Sequence, residues 1–202
     1  MAKARNGALS ASIIFGLLLA SVPAGGKEMG MSTEDLARKV AQLEQRLAEA
    51  EARLAVQNVI TTYGLAADTN DIAAMMALWS DDCVIEIDGN VIARGRAQSR
   101  GIIDSEVHQS IQPYSAHVMG PFRIDVVDAD HAVATGYQTV YVRDGKRADG
   151  QSQVWRQSFG RWEMRRTDGR WEIARRQSRA VSNPGVKQIV GPALRPPANP
   201  AN

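Results

Sequence analysis

Tyr63 and Asp68 stand five residues apart near the end of one helical segment, and His117 follows in a segment with the alternation of a strand. Together they supply a proton-transfer set. An aspartate can fix the tautomer of an imidazole through one ring nitrogen, leaving the other to take a proton from a carbon acid. A tyrosine hydroxyl can donate to an oxygen on which enolate charge develops, or from which hydroxide departs. That is the chemistry of a cofactor-free dehydration or proton shift. The same types also fit plain structural roles: a Tyr with a satisfied hydroxyl, a capping Asp and a core His. Which holds depends on the elements that carry them.

On an ideal helix five residues turn Asp68 by about 140° from Tyr63. The set therefore closes only if the helix ends near Ala67 and Asp68 turns back toward a cavity. His117 must point inward from its strand, beside Met119 and just ahead of Gly120-Pro121, where a bulge is expected.

Ser32 or Thr33, followed by Glu34 and Asp35, opens a helix with acidic residues in its first turn. Leu36, Val40, Leu43, Leu47 and Leu54, with Ala50 in the gap, form an amphipathic stripe. It fits either a second chain, over about two heptads, or its own domain. The helix continues through Val56, Val59, Ile60, Tyr63 and Ala67. A second helix follows from Asn70 or Asp71, with Ile72, Met75, Met76, Leu78 and Trp79 as its buried positions. Cys83 to Ile87 reads as a short strand turned by Asp88-Gly89 into Val91-Ile92, and Arg94 to about Val107 as a third helix interrupted at Gly101. Segments 115–127, 131–143, 151–166 and 170–180 alternate as four long antiparallel strands. The order implies an α+β domain: N-terminal helices packed on a strongly curved antiparallel sheet, forming a conical pocket. Residues 183–202, with four prolines from 192 onward, are expected as a coil partly covering the pocket mouth.

The chain has 202 residues and a net charge of +2, so a single domain with little electrostatic steering is expected. The arginines between 156 and 179 are interrupted by Glu163, Asp168 and Glu172, and no phosphate loop or zinc-finger spacing is present; nucleic acid is not an expected partner. Cys83 is the single cysteine, which precludes an internal disulfide, and the three histidines form no metal-binding motif. Neither a metal nor a cofactor is expected. Glu86 and Asp88 share a face, but the adjacent Gly89 turn favours solvent exposure over a carboxylate pair. Trp79, Met119, Tyr137, Tyr141 and Trp155 are candidate pocket-lining residues.

Lys3 and Arg5 precede an uncharged apolar run from Ala8 to Val22 and then Pro23-Ala24, the order of a secretory signal. This implies an exported, periplasmic or secreted protein without stable membrane association once residues 1–30 are removed. The alternative is a cytoplasmic protein whose translation starts near Met31.

Three stretches, VQNVITTYGLAADTNDIAAMMALWSDDCVIEIDG, AHVMGPFRIDVVDADHAVATGY and WEMRRTDGRWEIARR, resemble the SnoaL-like branch of the nuclear transport factor 2-like superfamily. The resemblance spans about Leu54 to Arg179. It implies a cone with an apolar pocket, frequent oligomerisation, and an activity among those of polyketide cyclases, steroid isomerases, dehydratases and a dehydrochlorinase, or non-enzymatic binding. Tyr63, Asp68 and His117 match the tyrosine, aspartate and strand histidine of the bile-acid dehydratase pattern. Ile87 falls where ketosteroid isomerases carry a basic carboxylate, which disfavours that mechanism. The resulting expectation is a leader-like segment at 1–30, a helical extension at 31–53, a SnoaL-like domain at 54–182 and a Pro-rich tail at 183–202. Its function would be that of a cofactor-independent lyase, a dehydratase of a hydrophobic hydroxylated carbonyl or polycyclic compound, working as a homo-oligomer. The alternatives are a noncatalytic binding or assembly protein, and an isomerase or polyketide cyclase.

Overall fold

The computed structural model describes residues 31–145 and 150–195. The leader-like segment and the last prolines lie outside them. Among the described residues no helix is long and apolar enough to cross a membrane.

Helix α1 (Thr33–Asp68) opens where the acidic first turn predicts, with the Ser32 hydroxyl accepting from the Asp35 N–H at 3.1 Å. It runs 36 residues without a break, about 54 Å at the usual rise. Helix α2 (Ile72–Ala77) is capped by Asp71, whose carboxylate accepts from the Ala74 N–H. It stops earlier than its apolar pattern suggests. Trp79 belongs to β1 (Trp79–Ile87), not to the helix. Met75, Met76, Leu78 and Trp79 satisfy a helical face equally well, but Trp79 pairs with Ile173 and the Leu78 carbonyl accepts from the Ile173 N–H at 2.7 Å, which draws the backbone into the sheet.

Asp88 and Gly89, both at positive φ, turn β1 into β2 (Asn90–Arg94), as an Asp-Gly hairpin requires. Helix α3 (Arg96–Ile103) passes through Gly101 unbroken. The interruption falls at Asp104-Ser105, because the Ser105 hydroxyl starts a new cap for α4 (Glu106–Gln109). Then come β3 (Ser115–Val126), β4 (His131–Arg143), β5 (Ser152–Thr167) and β6 (Arg170–Ala180), within a residue or so of the four alternating segments.

The sheet order is β2-β1-β6-β5-β4-β3, curled but open. It is mixed. The four long strands are antiparallel to one another, while β1 joins β6 in parallel, with Ile85 beside Arg176 and Ile87 beside Ser178. The C-terminal half of α1 lies in the hollow of this sheet: Val56, Ile60, Tyr63 and Ala67 are buried in a core with Trp79, Ile85, Trp162, Met164 and Ile173. Burying each large apolar side chain contributes roughly 1.5–3 kcal/mol. Truncating Trp162, which is fully buried, would cost about 3–5 kcal/mol.

The described part of the segment after β6, up to residue 195, does not line the hollow; the rest of the expected covering coil lies outside the described residues. Helix α5 (Val186–Val190) packs against β5, β4 and β6, a 3-10 turn over Gly191–Leu194 follows it, the Arg123 guanidinium donates to the Ala193 carbonyl, and none of these residues lines the cavity.

Candidate functional site

The last turn of α1 crosses β3 at very short range, and one glycine permits it. A Cβ on Gly64 would sit 2.7 Å from the His117 carbonyl oxygen and 3.0 Å from Met119. With hydrogen there instead, Asp68, the final helical residue, reaches β3 directly. The helix ends at Asp68, one residue past Ala67, close to where the spacing argument places its end, and the close crossing supplies the reach.

Asp68 then binds His117 twice. One carboxylate oxygen accepts from the His117 backbone N–H at 2.7 Å, and the other lies 2.6 Å from the ring Nδ1. The Ser115 hydroxyl donates to Asp68 at 2.9 Å, and Gln112 donates to that hydroxyl at 3.0 Å and to the Ala67 carbonyl at 3.0 Å. Burial alone would raise the Asp68 carboxyl. The hydrogen bonds and charge of His117, with Ser115, outweigh it and hold the group below the ordinary carboxylate value. An ionised carboxylate only accepts, so Nδ1 carries the ring proton and Nε2 keeps a lone pair.

Beside it lies His108, buried, with its ring centroid 6.0 Å from that of His117 and Nε2 3.2 Å from the Gln112 amide. Burial, helped by the charge of His117, pushes His108 below the usual imidazole value.

Both histidines line a cavity of about 510 Å³ walled by apolar side chains such as Ile87, Ile103, Val107 and Val140. That size suits a drug-sized or polycyclic compound. Tyr63, Met119 and Trp155 also line it. Tyr63 meets Trp162 edge to face at 5.0 Å and Trp79 at 6.0 Å. Among the described residues no group accepts from its hydroxyl.

Three expected lining residues do not reach the cavity. Trp79 is sealed in the core behind Tyr63. Tyr137 and Tyr141 occupy the opposite phase of β4 from Gln138 and Val140, which do line the hollow, and so stand on its outer, exposed face. Glu86 also differs from expectation. It is buried on that outer face and held by Arg175 at 3.0 Å, Gln177 at 3.1 Å and Arg179, while Asp88 binds Arg156 at 2.8 Å and the Ala180 N–H at 2.7 Å. Ile87, not Glu86, faces the cavity.

The residue that sequence reasoning missed is Arg176. It lines the cavity at 9% exposure, with its guanidinium 5.0 Å from the Tyr63 ring centroid and 5.3 Å from that of Trp162. Its one hydrogen-bonded neighbour among the described residues is the Gln138 side-chain amide oxygen Oε1, which accepts at 3.2 Å, and its Nε is buried without a partner. A buried cation without a carboxylate is costly, so the site favours a guest that brings negative charge. The signal in the sequence was alternation along β6, but Arg175, Arg176 and Arg179 are indistinguishable until the inward phase is known. Among the described residues no group of three or more His, Cys, Asp or Glu side chains is placed to hold a metal ion.

The helix-filled, curled sheet with a polar cluster at the floor of an apolar hollow is that of NTF2-like proteins with a cystatin-like fold. One such protein, from Novosphingobium aromaticivorans, is 26% identical, with a TM-score of 0.63 over 82% of this chain and 99% of that one. The chain belongs to the SnoaL-like domain family, whose model matches residues 48–177. A hexachlorocyclohexane dehydrochlorinase, LinA-type3, from Novosphingobium barchaimii shares the fold at 18% identity, with a TM-score of 0.57 over 67% of this chain and 90% of that one. No curated protein matches the chain.

Proposed function

We propose that this protein is a cofactor-independent lyase, a dehydratase that removes water from a hydroxylated carbonyl compound with a bulky apolar body. The observation that carries this reading is the Asp68–His117 contact at 2.6 Å, which engages Nδ1 and leaves Nε2 as the basic nitrogen of a residue that lines the cavity. His117 takes the proton from the carbon next to the carbonyl, and the C–H electron pair moves into an enolate. Arg176 and the Tyr63 hydroxyl meet the oxygen on which that charge gathers. The enolate then collapses to the alkene as the C–O bond at the adjacent carbon breaks. The departing hydroxide takes the proton back from the His117 imidazolium and leaves as water.

Membership of the SnoaL-like family and a fold shared with a dehydrochlorinase support an elimination, since loss of HCl and loss of water both remove a proton from carbon and a leaving group from its neighbour. Apolar walls favour a hydrophobic substrate, and the buried Arg176 favours one that develops or carries negative charge. The test is binding and turnover of a panel of hydroxylated carbonyl compounds by native protein and His117→Ala. Retained binding with lost dehydration supports His117 as the base. Unchanged turnover rejects the assignment.

A further inference from the structure

The N-terminal half of α1 touches almost nothing in its own domain. Leu36, Val40, Leu43, Leu47 and Leu54 are between 45% exposed, at Val40, and 63% exposed, at Leu54. Leu36 and Leu54 are eighteen residues apart, about five helical turns, and so share an azimuth. Val56, two residues on, is turned by about 200° and starts the stripe that enters the core through Ile60 and Tyr63. One helix thus carries two apolar stripes on nearly opposite sides. The outer side stays open along the domain as well, where Leu65 is exposed. The domain hangs from the far side of α1, so it does not obstruct a second helix laid along the first stripe.

The spacing of that stripe alternates four and three, placing Val40, Leu47 and Leu54 at the a positions and Leu36, Leu43 and Ala50 at the d positions of a heptad. The flanks are sorted by sign. Lys39, Arg46 and Arg53 fall at g; Glu44 and Glu51 fall at e. In a parallel, in-register pair each g residue faces the e residue five positions later in the other chain. Lys39 then meets Glu44, and Arg46 meets Glu51, from both sides of the seam. In an antiparallel pair g faces g and e faces e, which sets base against base and acid against acid.

We infer that residues 36–54 form a parallel, in-register coiled coil with a second copy of this chain, its orientation set by the Lys39–Glu44 and Arg46–Glu51 pairs across the seam. This gives the exposed stripe one occupant and leaves the cavity of each copy open.

The test uses the full chain carrying Leu36→Cys and reads disulfide-linked pairs after mild oxidation; Cys83 is buried and does not compete. A parallel seam brings the two introduced thiols together, whereas an antiparallel one places each opposite Leu54. Adding Lys39→Glu with Arg46→Glu, or Glu44→Lys with Glu51→Lys, sets like charges across the seam, and each variant alone is expected to lose the linked species. Mixing the two restores it as a mixed pair. Circular dichroism checks that each variant keeps its helix content, since Lys and Glu have similar helix propensity. Failure of Leu36→Cys to link, or linking that ignores the charge reversals, overturns the proposal.

Discussion

Two walls of one cavity treat charge in opposite ways. At the α1–β3 corner Asp68 is saturated: His117 approaches it from ring and backbone, Ser115 donates to it, and Gln112 holds Ser115 in turn. On the β6 wall Arg176 has aromatic faces and one amide oxygen, and no carboxylate among the described residues. The corner is complete without a guest. The wall is not. A proton acceptor must be held still before the substrate arrives, which a closed network accomplishes. A group that stabilises developing anionic charge must instead keep its charge uncommitted until the reaction supplies a partner.

The strongest way to break this contrast is to remove the base. His117→Ala should lower turnover by about 10²–10⁴-fold, the usual worth of general base catalysis, while ligand binding measured by calorimetry persists. Next is the wall. Arg176→Met should cost about 10²–10³-fold in kcat, and it should make the empty protein no less stable in thermal melts, because the buried cation lacks a carboxylate to offset its desolvation. A large loss of stability would mean that Arg176 is satisfied by the fold itself.

The crossing that joins Asp68 to β3 can be pried open without touching a polar group. Gly64→Ala drives a methyl against the His117 carbonyl and Met119, and should destabilise by about 1–3 kcal/mol, as overpacking does, while lowering turnover through loss of the dyad. Ser115→Ala removes one donor of the three on Asp68 and should cost about 0.5–1.5 kcal/mol in denaturant unfolding.

The smallest effects lie in pH. Asp68 is held below its ordinary value of 3.8, so its contribution to stability is complete above that value and is lost as pH falls from there through the folded-state value. Asp68→Asn should flatten that acid limb. His108 is depressed below 6.5 by burial, so the unfolded chain takes up protons first and stability declines as pH drops below 6.5. His108→Asn should remove that decline.

Much of the frame was legible in the sequence because its punctuation is strong. Asp168-Gly169, both at positive φ in the structure, and the Asp128 carboxylate binding the Asp130 and His131 N–H groups mark the turns between long alternating strands. The limits were limits of phase and partner. Alternation in β4 separates Tyr137 and Tyr141 from Gln138 and Val140 but does not state which pair faces in. The same ambiguity hid Arg176 among the arginines of β6. The apolar run ending in Trp79 satisfied a helix until the parallel pairing of β1 with β6 claimed it; no local signal encodes that long-range contact. The helix end that places Asp68 was legible, and it falls at Asp68 itself; Gly64, unremarkable in sequence, is what lets the helix come close enough to β3.

The account rests on His117 carrying its ring proton on Nδ1, held by Asp68, with Nε2 free to act as the base. Long-range proton–nitrogen NMR of the His117 ring in the native chain, at about pH 9 where an ordinary imidazole is neutral, reads this without a substrate. The account predicts a protonated Nδ1 and an unprotonated Nε2, with the preference lost in Asp68→Asn. A ring protonated on Nε2, or one indifferent to Asp68, would contradict it.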